Sequence, residues 1–243
     1  YYTGINGWEF SVEGYYKDMR NVLEYKDGVS FFGSSSGWEN KVEMGKGRSA
    51  GIEFMAQKTA GKTTGWLSYT LSKSDRKFTK GGINNGEWFP YKYDRRHSIN
   101  LTINHKFSDR IDIGASWVFY TGGTSTIPEE KTTVIRPHNG ANNGFLWYGT
   151  YDNTNSSPTI GDVSYIEHRN NFRLPASHRL NLGVNFNKKT KHGMRTWNIS
   201  LYNAYNAMNP AWVYRGHNKQ GLSVIKKYTL LPLIPSFTYT YKF

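Results

Sequence analysis

The sequence contains no cysteine. A disulfide framework and thiolate chemistry are therefore excluded, while the compartment stays open. It also lacks any apolar run approaching the roughly 18 residues of a membrane helix, and its mean hydropathy is −0.68. No transmembrane helix is expected. A membrane is not thereby excluded, because the strands of a membrane barrel alternate and average to a polar value. Acids are scarce: 18 Asp and Glu stand against 31 Lys and Arg, a net charge of +13. The cations are scattered among strand ends and loops, with no run of five or more. Nucleic acid, which selects clustered basic stretches, is not expected as a partner. An anionic surface such as lipopolysaccharide, an anionic ligand, or plain solvated loops all account for the charge. What the chain does have is aromatic residues, 16% of the total with 18 Tyr. Barrel girdles and carbohydrate-binding β-proteins both use such rings.

The most informative stretch is the last. Ser236-Phe237-Thr238-Tyr239-Thr240-Tyr241-Lys242-Phe243 alternates strictly, with aromatics at the odd positions. A period of two means one face of a strand. Phe237, Tyr239, Tyr241 and Phe243 form a heavy apolar load for a chain end, which in a soluble domain often frays. A strand closing a membrane barrel needs this pattern, apolar toward lipid and polar toward the lumen.

Upstream, the alternation recurs. Residues 1–5 read as the tail of a strand rather than as a leader, so the chain is expected to be a mature product or a piece of something longer. Asn6-Gly7 is a hairpin signal. Strands are expected over 8–16, 48–57, 65–72, 97–107, 110–120, 177–187 and 194–206. Leu180, Leu182, Val184 and Phe186 oppose Asn181, Gly183 and Asn185, and the other strands follow suit. Pro232 and Pro235 should be bulges or lie beyond regular pairing, since proline lacks the ladder donor. Connections alternate between tight (6–7, 59–63, 108–109, 188–193) and long (21–47, 73–94, 121–175, 207–222). Barrels with short periplasmic turns and long extracellular loops sort their connections in this way. The polar faces are Asn, Ser, Thr, Gly and Glu, more like a wetted lumen than a soluble exterior. The expected fold class is all-β, a transmembrane antiparallel β-barrel. Two basic/His pairs, Arg96-His97 and His178-Arg179, lead into strands at the outer rim, where cations reach toward phosphates. No spacing forces ligands to converge, so no metal site and no cofactor are expected.

Several segments resemble the C-terminal barrel half of TonB-dependent outer-membrane receptors. They are Glu13-Gly14-Tyr15-Tyr16-Lys17-Asp18-Met19, Gly45-Lys46-Gly47-Arg48-Ser49-Ala50-Gly51-Ile52-Glu53 and Tyr93-Asp94-Arg95-Arg96-His97, with Ser177-His178-Arg179-Leu180-Asn181 and Tyr202-Asn203-Ala204-Tyr205-Asn206-Ala207-Met208-Asn209-Pro210. They look most like the branch common in Bacteroidetes that carries a carboxypeptidase-regulatory-like extension. The resemblance implies a barrel of 22 strands around a plug. About nine strands can be counted here, the first one cut, and bacterial single-chain barrels have even numbers. Residues 1–243 are therefore expected to be the C-terminal portion of the barrel. The first strands, the plug and the TonB-contacting segment would lie upstream. The terminal Phe237, Tyr239, Tyr241 and Phe243 would then be the signal read by the barrel-insertion machinery.

The resemblance further implies uptake of a scarce ligand into the periplasm, energised by TonB acting through the missing plug. Expected partners are outer-membrane lipid and lipopolysaccharide, TonB, the rest of the receptor chain and a surface lipoprotein. Siderophore, haem, cobalamin, glycan and peptide importers share the scaffold, and fold does not select among them. Candidate ligand contacts are the loop aromatics Trp88, Phe89, Trp147, Tyr148, Tyr151 and Tyr165, whose faces suit sugars, haem or catecholates. Packing of loops against one another would use the same residues. Two rival functions remain. One is a complete small outer-membrane barrel acting as a passive pore or hydrolase, although Asp94, His97, Glu129 and Glu130 show no nucleophile–base spacing. The other is a soluble carbohydrate-binding β-domain. No catalytic residue is assigned, and an enzyme is not expected.

Overall fold

The computed structural model describes residues 2–5, 7–26, 37–136 and 159–243. Strands dominate it. In chain order they are β1 (Tyr2–Ile5), β2 (Trp8–Tyr25), β3 (Val42–Lys58), β4 (Thr63–Lys77), β5 (Phe89–Pro90), β6 (His97–Lys106) and β7 (Ile111–Tyr120). In the longest connection follow β8 (Thr124–Ser125), β9 (Glu130–Arg136), β10 (Thr159–Tyr165) and β11 (Phe172–Arg173). The last are β12 (Ser177–Thr190), β13 (Gly193–Tyr202), β14 (Pro210–His217), β15 (Ser223–Thr229) and β16 (Ile234–Lys242). One antiparallel sheet runs β1-β2-β3-β4-β6-β7-β12-β13-β16, with β5 on the outer end of β4. This path has the nine strands counted from the alternation. Among the described residues β1 and β16 do not pair, so the sheet is an open wall.

Register assigns each residue to a face. Leu180, Trp117, Leu101, Leu67, Ala56 and Phe10 stand opposite one another across six strands. His178, Phe119, Ile99, Tyr69, Phe54 and Val12 form the next row outward. The reverse face carries a polar ladder. Asn185 and Asn187 donate their amides to the two oxygens of Asp112 at 2.7 and 2.6 Å. Asn198 donates to Asn185 and Thr196 to Asn187, both at 2.7 Å. Between His178 and Phe186 the strand climbs about 26 Å at ~3.3 Å per residue, near the ~25 Å apolar band of outer-membrane barrels.

Buried hydrophobic residues are almost absent. Among the described residues only Phe78, Ile83 and Phe89 are buried apolar side chains, and none lies on the apolar rows. Val12, Ile52, Ile199 and Phe237 are 50% exposed or more. An apolar face of this extent needs lipid to cover it. The soluble-domain alternative does not fit such a wall.

The tight connections all fall on one end of the sheet and the long ones on the other. Two long connections are more ordered than expected. The β2–β3 hairpin runs up to Tyr25 and Val42, well past the end of apolar alternation, so both flanks of the expected 21–47 loop, 21–25 and 42–47, are strand. Backbone pairing continues there, although the side chains have turned polar. A bulge between Arg20 and Val22, with Asn21 at φ 57°, marks the change. Residues 210–229 form a separate hairpin, β14–β15, where a loop was expected. The expected strand over 194–206 stops at Tyr202, because Asn203 and Asn206 adopt left-handed backbone (φ 53° each). Pro235 was expected at a bulge or beyond regular pairing. It lies within β16, in register with Leu201. A proline is tolerated where its nitrogen points away from the neighbouring strand, and among the described residues β16 pairs only with β13.

The small core sits at the outer end, on the lumen side. Phe78 and Phe89 stack with ring centroids 6.0 Å apart, beside Ile83 and Val22. Gly45 makes room for them: a Cβ there would meet the Phe78 ring and the Lys77 carbonyl at 2.5 Å. Phe78→Ala should cost about 3–5 kcal/mol of local stability. It should open residues 78–96 to protease while the barrel keeps its heat-resistant migration on gels, because the wall does not share this core.

Candidate functional site

The outer ends of the strands are joined into a hydrogen-bonded rim, built on polar residues of the long connections. Asp94 is its deepest member, 1% exposed. Its Oδ1 accepts the Ser74 N–H at 2.7 Å. Its Oδ2 accepts Nη2 of Arg173 at 2.6 Å, with Arg96 3.4 Å away. Arg173 also donates to the carbonyls of Asp94 and Gly122 at 2.7 and 2.9 Å. One carboxylate therefore pins β4, the 91–96 turn and the 121–124 segment to β11. Arg169 and Asn170 extend the same hub. Arg169 N–H donates to Asn84 at 2.8 Å and its guanidinium pairs with Glu24 at 3.4 Å. Asn170 donates to the Pro90 carbonyl at 2.8 Å.

Glu43 fixes the neighbouring turn. It stands on β3 above Arg48, beyond the roughly nine to eleven residues that cross the hydrocarbon. Its carboxylate accepts the N–H groups of Thr79 and Ile83, both at 3.0 Å, and the Thr79 hydroxyl. Partial burial raises its pKa. The hydrogen bonds from Thr79 and Ile83, with the charge of Lys26, outweigh that and hold it below the usual 4.5.

Near the C-terminus three asparagines do equivalent work. Asn203, 1% exposed, takes the Ala207 N–H at 2.8 Å and donates to the Ala207 and Leu231 carbonyls at 3.0 and 3.2 Å. Asn206 accepts the Leu233 N–H at 3.0 Å. Asn209 makes two bonds to the backbone of His178, at 3.0 and 2.8 Å. The spacing of three puts each amide within reach of a different segment. Tyr205 lies between them, its hydroxyl shared by Trp117 Nε1 at 3.1 Å and His178 Nδ1 at 2.8 Å.

Between the β14–β15 arm and the rim opens a cleft of about 640 Å³, lined by Ile127, Pro128, Glu129, Asn171, Phe172, Arg215 and residues 223–225. Arg215 anchors it, donating to Ser223 at 2.9 Å and to the Pro128 carbonyl at 3.2 Å. The sequence offered no periodic signal for this cleft, because its walls come from separate stretches of two different connections.

The candidate aromatics scatter. Phe89 is 3% exposed and packs against Phe78, so its ring is spent on the loop core. Trp88 is half-exposed and lies beneath the Arg48 guanidinium, 4.3 Å from ring to charge. Tyr165 is 56% exposed, and its carbonyl accepts the N–H of Glu129, a cleft residue, at 2.9 Å. Trp147, Tyr148 and Tyr151 lie outside the described residues. The aromatics of β16 share the apolar face, with Trp197 stacked on Phe237 at 5.0 Å and tilted against Tyr239 at 4.5 Å. Asp94 and His97 do not form an acid–base pair: both Asp94 oxygens are taken by the clamp, and His97 Nδ1 meets the Tyr69 hydroxyl at 2.9 Å. No group of three or more His, Asp or Glu suited to a metal occurs among the described residues.

An antiparallel wall with an apolar outer face, a polar inner face, tight turns at one end and a folded rim at the other is the wall of an outer-membrane β-barrel. The family model "TonB dependent receptor-like, beta-barrel" matches residues 1–207. The chain belongs to that family, and so to the transporters of the bacterial outer membrane that work with TonB. It is a transport family, not an enzyme family. A comparison with curated proteins gives no match.

Family membership gives the tight turns a periplasmic position and the rim an extracellular one. Two outcomes test the rim. Asp94→Ala leaves the partly exposed Arg173 without its carboxylate and the Ser74 N–H without its acceptor, and should cost roughly 1–3 kcal/mol, read as faster hydrogen exchange across 91–96 and 121–124. For Glu43, stability from a depressed carboxyl is present above pH 4.5 and is lost as pH falls through the lowered value. Protection of residues 79–86 should therefore hold at neutral pH and fall on acidification. Glu43→Gln should weaken it at neutral pH and remove the acid step.

Proposed function

We propose that residues 1–243 form the C-terminal part of the barrel of a longer receptor, with the first strands and the plug upstream. The receptor imports a scarce ligand, drawn from siderophores, haem, cobalamin, glycans and peptides, into the periplasm. TonB acts through the plug. The observation that carries this reading is the rim: Asp94, Glu43 and Asn203 hold four connections as one preorganised surface above the polar lumen face. A passive pore has no need of such an ordered cap. The ligand approaches through the cleft beside Arg215, with Tyr165 at its margin and Trp147, Tyr148 and Tyr151 as further contacts. The segments around Tyr15, Arg48 and Asn203 favour the Bacteroidetes branch, and that branch favours a surface lipoprotein as partner. The aromatic run ending at Phe243 serves recognition by the insertion machinery.

The decisive experiment follows accumulation of a panel of ferric siderophores, haem, cobalamin, glycans and peptides in cells expressing the receptor. One panel member should accumulate only when TonB is present. For that member Arg215→Ala should raise the half-saturating concentration about tenfold, a typical cost of about 1.4 kcal/mol for a lost polar anchor. Uptake that is equal without TonB would establish the passive-pore alternative instead.

A further inference from the structure

The outward face of β2, β3 and β4 continues above the point where the apolar rows end. Gly14, Ile52 and Leu71 form the last apolar row. Tyr16, Ala50 and Lys73 come next, then Asp18, Arg48 and Asp75. The uppermost row is Arg20, Lys46 and Lys77, in register across three neighbouring strands. No bulge intervenes below this row, so all of these side chains share the face that lower down meets lipid.

Charge on this face is unbalanced. Lys73 and Arg48 converge on a single oxygen of Asp75, at 3.4 and 3.1 Å. The Asp75 side chain is 6% exposed, so one buried carboxylate serves two cations. In the top row only Arg20 reaches an acid, Asp18 at 3.8 Å, in a solvent-exposed pair. Among the described residues neither Lys46 nor Lys77 has an ion pair, and both are exposed. Strands lie ~4.8 Å apart, and like charges directly opposite each other are destabilising. Three cations in one row therefore weaken the hairpin unless an anion lies across them.

The position names the anion. The row stands three residue-pairs above the last apolar row, some 20 Å at ~3.3 Å per residue, and faces sideways, away from the lumen. The opposite face at this height is covered by Phe78 and its core. A transported ligand comes to the lumen side. On the outward side stands the headgroup layer of the outer leaflet. We propose that Arg20, Lys46 and Lys77, with Lys73 and Arg48 below, bind the phosphates of lipopolysaccharide, while the exposed Tyr16 and Trp88 lie against its sugars. Trp88 then belongs to the lipid-facing surface and not to the ligand route. The inference rests on the membrane orientation of the wall and is independent of which ligand is carried.

The test uses the full receptor chain folded in detergent, with purified lipopolysaccharide as probe, and gel heat-modifiability to verify folding. The combined variant Arg20→Ser, Lys46→Ser, Lys77→Ser should lower affinity about tenfold or more. Lys188→Ser, Lys189→Ser, Lys191→Ser removes equal charge at the periplasmic end and should leave affinity unchanged. Lipopolysaccharide stripped of phosphate should bind the unaltered protein as weakly as the intact form binds the row variant. Lys46→Glu serves as a second probe: it relieves the repulsion, so it should keep or raise thermal stability without lipid and still weaken lipopolysaccharide binding. Unchanged binding by the row variants, or equal loss in the periplasmic variant, overturns the proposal. Full competition by inorganic phosphate would assign the row to a free anion and overturn it as well. Ligand uptake enters none of these readouts, so their failure is distinguishable from failure of the transport reading.

Discussion

The rest of the structure depends on one constraint: inside hydrocarbon, every backbone N–H and C=O must find its partner within the protein. The nine-strand path meets it with continuous antiparallel ladders from β2 to β16. Once the ladder is in place, alternation decides what each residue meets. Leucine, isoleucine and aromatic side chains go to lipid, and the Asp112–Asn185–Asn198 ladder goes to the wet lumen. No conventional core is needed because lipid replaces it. That is why so many large apolar side chains stand exposed in this wall, and why the only buried apolar cluster among the described residues lies outside the hydrocarbon.

Above the membrane that economy ends. The connections face water and have too little apolar surface to pack by hydrophobic burial alone. They use buried polar anchors instead. A charged or amide side chain held among several backbone donors and acceptors costs a great deal to leave unpaired, so each anchor specifies one arrangement of the segments around it. Asp94 joins β4 to β11, Glu43 joins β3 to the 79–86 turn, and Asn203 joins the end of β13 to the approach of β16. The rim is thereby a fixed object, and its inward and outward surfaces can serve different partners.

Much of the wall could be read from the sequence. The period-two alternation located all nine strands of the path, and the sorting of short and long connections placed them in a membrane. Where alternation stopped, so did the reading. The upper ends of β2 and β3 were expected to be loop, because charged side chains on both faces leave no apolar period although the ladder persists. The β14–β15 arm was missed for a related reason: its two faces mix aromatic and basic residues. The motif glycines were visible but not their purpose. Gly51 lies under the Tyr15 ring, where a Cβ would come within 2.7 Å of it. Among the loop aromatics, composition could not separate Phe89, which packs, from Trp88, which faces outward, since adjacent residues on a strand point to opposite sides.

The sequence by itself determined the class of architecture and the environment of each face, because these follow from local period and turn chemistry. Tertiary structure alone decided which distant polar groups meet. Asp94 and Arg173 are 79 residues apart, and Asn84 and Arg169 are 85. Nothing local in either partner encodes such a pairing. It emerges only when the sheet brings the loop bases side by side and leaves one low-energy way to satisfy the charges they carry.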